Sequence, residues 1–302
     1  MFSKAILRLA VVLMAIAATP ASAALNVFAT VPEWAALARE IGGDKLNVFA
    51  ATNALQDPHR IEAKPSLIAR ARSAQLVIAT GADLEVGWLP VVLREAGNAV
   101  IQPGQPGYLE AASVVRLLEV PARLDRADGD VHPGGNPHIQ TDPRNFLKVA
   151  DALTARLVQL DPANASAYKV GLARFTERWK ASMGRWEQAA APLRGVPVWV
   201  QHRSFPYMAD WLGLKELGAL EPKPGVEPSS AHLAGILERQ KATPARLILR
   251  AAYARPNASE WLGERAHLPV VVLPFTVGGN AEATDLFALF DDTVRRLLAG
   301  LK

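Results

Sequence analysis

Residues 25–51 read LNVFATVPEWAALAREIGGDKLNVFAA, in which two short apolar runs flank a longer stretch of mixed polarity. The runs at residues 25–30 and 46–51 have the length and composition of buried strands, and the stretch between them is typical of an amphipathic helix. A strand, a helix and a second strand form a βαβ unit, whose strands are parallel. This stretch therefore predicts an α/β fold with a mainly parallel sheet.

The same alternation of apolar runs and amphipathic stretches continues along the chain. Further strands are predicted at residues 75–80, 99–102, 196–201, 214–220, 246–251 and 270–275, and a final helix at residues 284–301. The first and second halves of the chain are thus built alike. They predict two similar lobes, each a mainly parallel sheet flanked by helices.

A different pattern separates the two halves. Large apolar side chains recur at steps of three or four residues, which places them on one face of a helix: Tyr168, Leu172, Phe175, Trp179, Met183 and Trp186. Asp161-Pro162 marks the start of this helix and Pro192 its end. About 30 residues give a helix about 45 Å long, which predicts one rigid helix joining the lobes. The expected domains are residues 24–144, 145–194 and 195–302.

The first residues resemble a secretory signal peptide. Lys4 and Arg8 precede an apolar run at residues 9–18, and small residues at 21–23 supply a cleavage site. The apolar run is shorter than the roughly 20 residues needed to span a bilayer, and no cysteine follows it for a lipid anchor. We therefore expect a signal peptide at residues 1–23 and a mature protein in the periplasm.

Composition narrows the classes of function. The net charge of +4 includes Lys4 and Arg8 of the signal peptide, and the chain has no block of basic residues, so nucleic acid is not an expected partner. The chain contains no cysteine. An exported protein without cysteine has no disulfide framework, and any metal must be held by histidine and carboxylate.

Three histidines lie in short polar loops beside predicted strands or helices. They are His59, His138 and His202, and the chain has neither an HExxH nor a CxxC motif that would bring ligands together locally. Taken singly, each is equally consistent with an ordinary surface or helix-capping histidine. Together they favour one metal site, because loops at the ends of parallel strands meet at one edge of a sheet.

Several short motifs carry a family resemblance. They are Asp57-Pro58-His59, Asn136-Pro137-His138-Ile139, His202-Arg203-Ser204-Phe205 and Gly225-Val226-Glu227-Pro228-Ser229. In these segments, and over nearly the whole mature chain, the sequence resembles the metal-binding solute receptors of bacterial ABC transporters, specifically the zinc-uptake branch. The resemblance implies a metal site in the cleft between two lobes. The sequence departs from the family pattern at Asn136, where an aspartate is common, and in the short segment 125–130, which replaces a long histidine-rich loop.

Carried onto this chain, the family's ligands match His59, His138, His202 and Asp285. The resemblance implies Zn²⁺ as the transported ligand, because manganese receptors usually carry glutamate at the third position. Asp285 would also suit the cap of the last helix, and in that case water or Asp57 would complete the coordination.

The implied function is a periplasmic carrier, not an enzyme, that captures zinc as a monomer and delivers it to a membrane permease. A periplasmic zinc chaperone is a further partner that the resemblance allows. The alternatives are a manganese receptor of the same family, a zinc metallochaperone, and a zinc hydrolase in which Glu62 would act as the base.

Overall fold

The structure is a computed structural model that describes residues 23–122 and 132–302. The expected signal peptide, apart from Ala23, lies outside the described residues, as does the acidic segment 125–130. None of the described helices combines the length and the apolar character needed to cross a bilayer.

A four-stranded parallel sheet forms the N-terminal lobe. Its strands are β1 (Leu25–Ala29), β2 (Leu46–Ala50), β3 (Leu76–Ala79) and β4 (Tyr108–Glu110), in the order β2-β1-β3-β4. Its helices are α1 (Pro32–Gly42), α2 (Pro65–Arg72) and α3 (Leu89–Ala96). The first two strands share the sequence LNVFA and pair residue for residue. The parallel sheet predicted from residues 25–51 is therefore confirmed.

The prediction of a strand at residues 99–102 is wrong. Ala99–Ile101 form a short 3₁₀ helix, and the fourth strand follows at Tyr108–Glu110. The cause is Asn98, whose side-chain oxygen accepts a hydrogen bond from Val100 N while its amide donates to the Ala74 carbonyl. These bonds hold the backbone in a turn. An apolar run of so few residues carries too little periodicity to reveal this.

Two helices follow the N-terminal sheet. They are α4 (Pro143–Leu160) and α5 (Ala165–Ala189). The predicted long helix is thus α5, with 25 residues and a length of about 37 Å. Tyr168, Phe175, Trp179 and Trp186 are buried along one face, as the spacing predicts.

The C-terminal lobe repeats the design of the first. Strands β5 (Pro197–Val200), β6 (Lys215–Ala219), β7 (Leu247–Ala251) and β8 (Val270–Leu273) form a parallel sheet in the order β6-β5-β7-β8. Its helices are α6 (Pro206–Leu212), α7 (Ser230–Ala242), α8 (Asn257–Ala266) and α9 (Leu286–Gly300). Both sheets therefore have the same strand order, which confirms two lobes of similar design.

An aromatic cluster between α4, α5 and α9 packs the two lobes together. Trp179 of α5 is fully buried, and its ring centroid lies 5.2 Å from that of Phe146 in α4 and 5.4 Å from that of Phe290 in α9. Trp179 Nε1 also donates a hydrogen bond to the Pro143 carbonyl. Helix α5 packs against α1 as well, so it bridges the two lobes.

Candidate metal site

His59 lies in the loop between β2 and α2, at the carboxyl end of the N-terminal sheet. Trp88 Nε1 donates a hydrogen bond to the Pro58 carbonyl at 3.0 Å and so fixes the backbone just before the histidine. Asp57 Oδ1 lies 2.8 Å from His59 Nδ1 and also accepts a hydrogen bond from His59 N. This carboxylate holds the proton on Nδ1 and leaves Nε2 unprotonated and free to bind a metal ion.

His138 is fully buried, in the loop that precedes α4. Asn136 Oδ1 accepts a hydrogen bond from His138 N, and its Nδ2 donates to the Arg203 carbonyl at 2.8 Å. An aspartate at position 136 would lack this N–H donor. The asparagine that departs from the family pattern therefore ties the His138 loop to the residue that follows His202.

His202 comes two residues after β5, at the carboxyl end of the second sheet. Its Nδ1 lies 2.7 Å from Glu221 Oε2, and the same oxygen accepts a hydrogen bond from Gly225 N at 2.8 Å. Glu221 thus orients His202 as Asp57 orients His59.

The three rings meet in the cleft between the lobes. Their centroids are 5.2 Å apart for His59 and His138, 5.8 Å for His59 and His202, and 5.5 Å for His138 and His202. One nitrogen from each ring lies within 4.8 Å of the others. Zinc–nitrogen bonds of about 2.0–2.1 Å in a tetrahedron would draw these nitrogens to about 3.4 Å. The three histidines therefore need only small movements to hold one ion.

Burial and hydrogen bonding shift the pKa values of two residues in this region, His138 and Asp57. Burial lowers the pKa of His138 well below its usual value, and the neighbouring imidazoles lower it further. Burial alone would raise the pKa of Asp57, but its hydrogen bonds to His59 outweigh this and lower it. In the described part of the chain, His59 Nε2 and His138 Nδ1 are buried without a hydrogen-bond partner. A neutral imidazole, the form that burial favours for His138, is the state that metal binding requires.

A cavity of about 300 Å³ lies beside the cluster and is lined by residues of both lobes, including Glu119, His132, His138 and His202. The His132 ring centroid lies 5.4 Å from that of His59, but His132 does not belong to the group of converging nitrogens.

The structure does not bring Asp285 to the three histidines. Its carboxylate accepts a hydrogen bond from Ala288 N at 2.8 Å and so caps α9. It faces a separate cavity of about 340 Å³, with Arg39 and Arg178 among its lining residues. The helix N-terminus offers the carboxylate unpaired N–H groups and a favourable dipole, which accounts for this placement.

Sequence reasoning missed two residues of the site. Glu221 comes two residues after β6, just as His202 comes two residues after the neighbouring β5, so its position beside His202 could have been found from strand order. Phe275, whose ring centroid lies 5.5 Å from that of His138, has a left-handed backbone with φ 66°. No local pattern predicts that conformation in a phenylalanine.

Comparison with known proteins places the chain in a family. The profile of the family described as zinc-uptake complex component A, periplasmic, matches residues 27–300. The zinc-binding lipoprotein AdcA of Streptococcus pneumoniae is 23% identical over 242 residues, which cover 79% of this chain and 46% of AdcA. The chain thus spans about half the length of that relative.

Two further proteins resemble the chain over most of its length. The manganese ABC transporter substrate-binding lipoprotein PsaA of Streptococcus pneumoniae is 22% identical over 259 residues, covering 83% of this chain and 80% of PsaA. A crystal structure of ZnuA has the same fold, with a TM-score of 0.76 and 21% identity over 92% of this chain and 100% of that one. Because the family profile spans almost the whole of the described residues, this chain belongs to the family of the periplasmic zinc-uptake complex component A.

Proposed function

We propose that this protein binds one zinc ion with His59, His138 and His202 and delivers it to the membrane permease of an ABC transporter. The observation that carries the proposal is the approach of three imidazole nitrogens to within 4.8 Å of one another. Imidazole suits zinc, whereas manganese prefers oxygen ligands. The names of the relatives divide between the two metals, with zinc for AdcA and manganese for PsaA. The three imidazole ligands favour zinc.

The fourth coordination position falls to a water molecule in this proposal. Asp285 is engaged at the N-terminus of α9, and Asp57 is already bonded to Nδ1 of His59. Three protein ligands and one water form a stable tetrahedral zinc site. An exchangeable fourth ligand also suits a carrier, because a receiving site can then enter the coordination sphere before the histidines release the ion.

The role of a carrier in the periplasm also belongs to the proposal, with export directed by residues 1–23. A hydrolase would need a general base, and Glu62, the residue considered for it, has an exposed side chain. A metallochaperone would use the same site and differ only in its partner. Growth of a deletion strain in zinc-depleted medium, with and without the gene for its permease, separates these two carriers.

The experiment that tests zinc binding is a competitive titration of the metal-free mature protein with Zn²⁺ and Mn²⁺ against a chromophoric chelator. We expect one tight zinc per chain, weak manganese binding, and loss of zinc affinity by orders of magnitude in His138→Ala. His267→Asn is the matched control, because His267 is an exposed histidine with φ 53° that caps α8, and asparagine tolerates this conformation. Tight binding in His138→Ala, or a preference for manganese, would contradict the proposal.

A further inference from the structure

His138 differs from the other two histidines in how its ring is held. Asp57 and Glu221 orient His59 and His202 through hydrogen bonds to Nδ1, whereas His138 Nδ1 has no such partner among the described residues. Its ring instead packs edge-on against Phe275, with a centroid distance of 5.5 Å and an interplanar angle of 74°. Phe275 therefore contacts the His138 ring from outside the histidine cluster.

Phe275 is held in an uncommon conformation. Its φ of 66° lies in the left-handed region, which costs energy for a residue with a bulky side chain and persists only where the surroundings enforce it. The loop that follows β8 is tightly folded here, because a Cβ at Gly279 would lie 1.8 Å from the Pro274 carbonyl oxygen. The ring also packs against Phe205 and Tyr253, at centroid distances of 6.1 and 5.1 Å.

The next residue, Thr276, anchors this loop to the other lobe. Its hydroxyl donates a hydrogen bond to Glu33 Oε2 at 2.5 Å, and both residues are at most 5% exposed. Glu33 lies in the first turn of α1, in the N-terminal lobe, whereas Thr276 follows β8 of the C-terminal lobe. The bond therefore crosses between the lobes, next to the residue that supports His138.

Burying the carboxyl group of Glu33 at this position costs free energy. Burial raises its pKa to about 7, and the nearby Glu85 carboxylate contributes to the rise. An apolar side chain would avoid the cost of burying a carboxyl group. The Thr276 hydroxyl and the Glu33 backbone supply the hydrogen bonds that partly offset this cost.

We propose that Glu33 is a positioning residue for the metal site, because its hydrogen bond to Thr276 fixes Phe275 and thereby the imidazole of His138. This inference rests on the proposed function, in which His138 is a zinc ligand. It assigns His138 an aromatic support from the C-terminal lobe, anchored to Glu33 of the N-terminal lobe, in place of the carboxylates that hold His59 and His202. Breaking the bond lets the ring of His138 turn and weakens the site without removing a ligand.

The test compares zinc affinity in four variants of the mature protein: Thr276→Val, Glu33→Ala, Glu33→Gln and Thr154→Val. Loss of an orienting partner of a metal ligand costs about 10-fold to 100-fold in affinity, and we expect about 10-fold for Thr276→Val and Glu33→Ala. Glu33→Gln keeps an oxygen that can accept the hydrogen bond from the Thr276 hydroxyl, so this variant should bind zinc as tightly as the parent. Thr154→Val is the matched control, because Thr154 is a buried threonine of α4 whose hydroxyl bonds the Ala150 carbonyl.

Two readouts separate positioning from a general loss of stability. Thermal unfolding of the metal-free variants measures stability alone, and the visible spectrum of bound Co²⁺ reports the geometry around the ion. We expect an altered Co²⁺ spectrum in Thr276→Val and Glu33→Ala and an unchanged one in Glu33→Gln and Thr154→Val. Should Glu33→Ala fail to fold, Thr276→Val carries the test.

Parental affinity and spectrum in Thr276→Val would overturn the inference, as would equal weakening in Glu33→Gln and Glu33→Ala. His138→Ala distinguishes this failure from failure of the proposed function. If His138→Ala loses zinc while Thr276→Val binds normally, only the positioning role is wrong. If His138→Ala keeps tight binding, the ligand set itself is wrong.

Discussion

Glu221 Oε2 lies 2.7 Å from His202 Nδ1, so a carboxylate from the loop after β6 fixes the imidazole that follows β5. The same oxygen also accepts a hydrogen bond from Gly225 N, which holds the carboxylate in place. Such partners set the tautomer of a metal-ligating histidine and raise its basicity. The loops after two neighbouring strands thus supply the proposed ligand His202 and the carboxylate that orients it.

Replacing Glu221 with alanine should weaken zinc binding by about 10-fold to 100-fold, because His202 loses the group that orients it. Competitive zinc titration measures the loss. Glu227→Ala is the control, since Glu227 is an exposed carboxylate of the same loop that pairs with Arg255 at 3.7 Å. Equal affinities for both variants would show that His202 needs no carboxylate.

Asp285→Ala should leave zinc affinity unchanged and lower stability by about 0.5–2 kcal/mol, because the substitution removes the N-cap of α9. Asp285→Ser should restore most of the stability, since serine also caps helices. Urea unfolding and zinc titration of both variants check this. A drop of tenfold or more in zinc affinity in Asp285→Ala would place the carboxylate on the ion after all.

The stability of the protein should depend on pH through Glu33, whose pKa is raised by burial to about 7. Below about pH 4.5 the side chain is neutral in both the folded and the unfolded state. Between pH 4.5 and 7 the unfolded state ionises while the folded state stays protonated, so the free energy of unfolding falls by up to about 1.4 kcal/mol per pH unit. Above pH 7 the carboxyl group is ionised in both states, so Glu33 no longer makes the free energy of unfolding change with pH.

Glu33→Gln removes this dependence because an amide does not ionise. The melting temperature of Glu33→Gln relative to the parent should therefore rise from pH 4.5 to 7 and then level off. Glu40→Gln serves as the control, since Glu40 lies on the same helix but is partly exposed and paired with Arg178. Parallel curves for the parent and Glu33→Gln would contradict the burial of an acidic group at this position.

Trp179→Ala should lower the free energy of unfolding by about 3–5 kcal/mol, because the ring fills the centre of the cluster that joins α4, α5 and α9. The zinc site should remain intact in the molecules that fold. Trp261→Ala, at a partly exposed tryptophan of α8, should cost less. Similar losses in the two variants would show that the aromatic cluster is not a centre of stability.

Much of the fold follows from periodicity along the chain. Seven of the eight strands and the long helix α5 were predicted, because buried parallel strands and an amphipathic helix leave clear patterns in sequence. The exception is residues 99–102, where the side chain of Asn98 makes hydrogen bonds that hydrophobic periodicity does not report.

The site was harder to predict than the fold. The three histidines could be singled out because each lies in a loop beside a helix or strand. A carboxylate at the start of a helix, however, can either bind a metal ion or cap the helix. Asp285 is that case, and only its hydrogen bond to Ala288 N separates the two roles. The Glu33–Thr276 bond joins residues 243 positions apart, beyond any local pattern.

The most direct test of the central claim is X-ray absorption at the zinc K-edge of the purified one-to-one complex, with His138→Ala alongside. The account predicts three imidazole nitrogens at about 2.0–2.1 Å and one oxygen from water in the parent, and one imidazole fewer in the variant. A first shell with fewer than three imidazoles in the parent, or the same shell in both proteins, would contradict it.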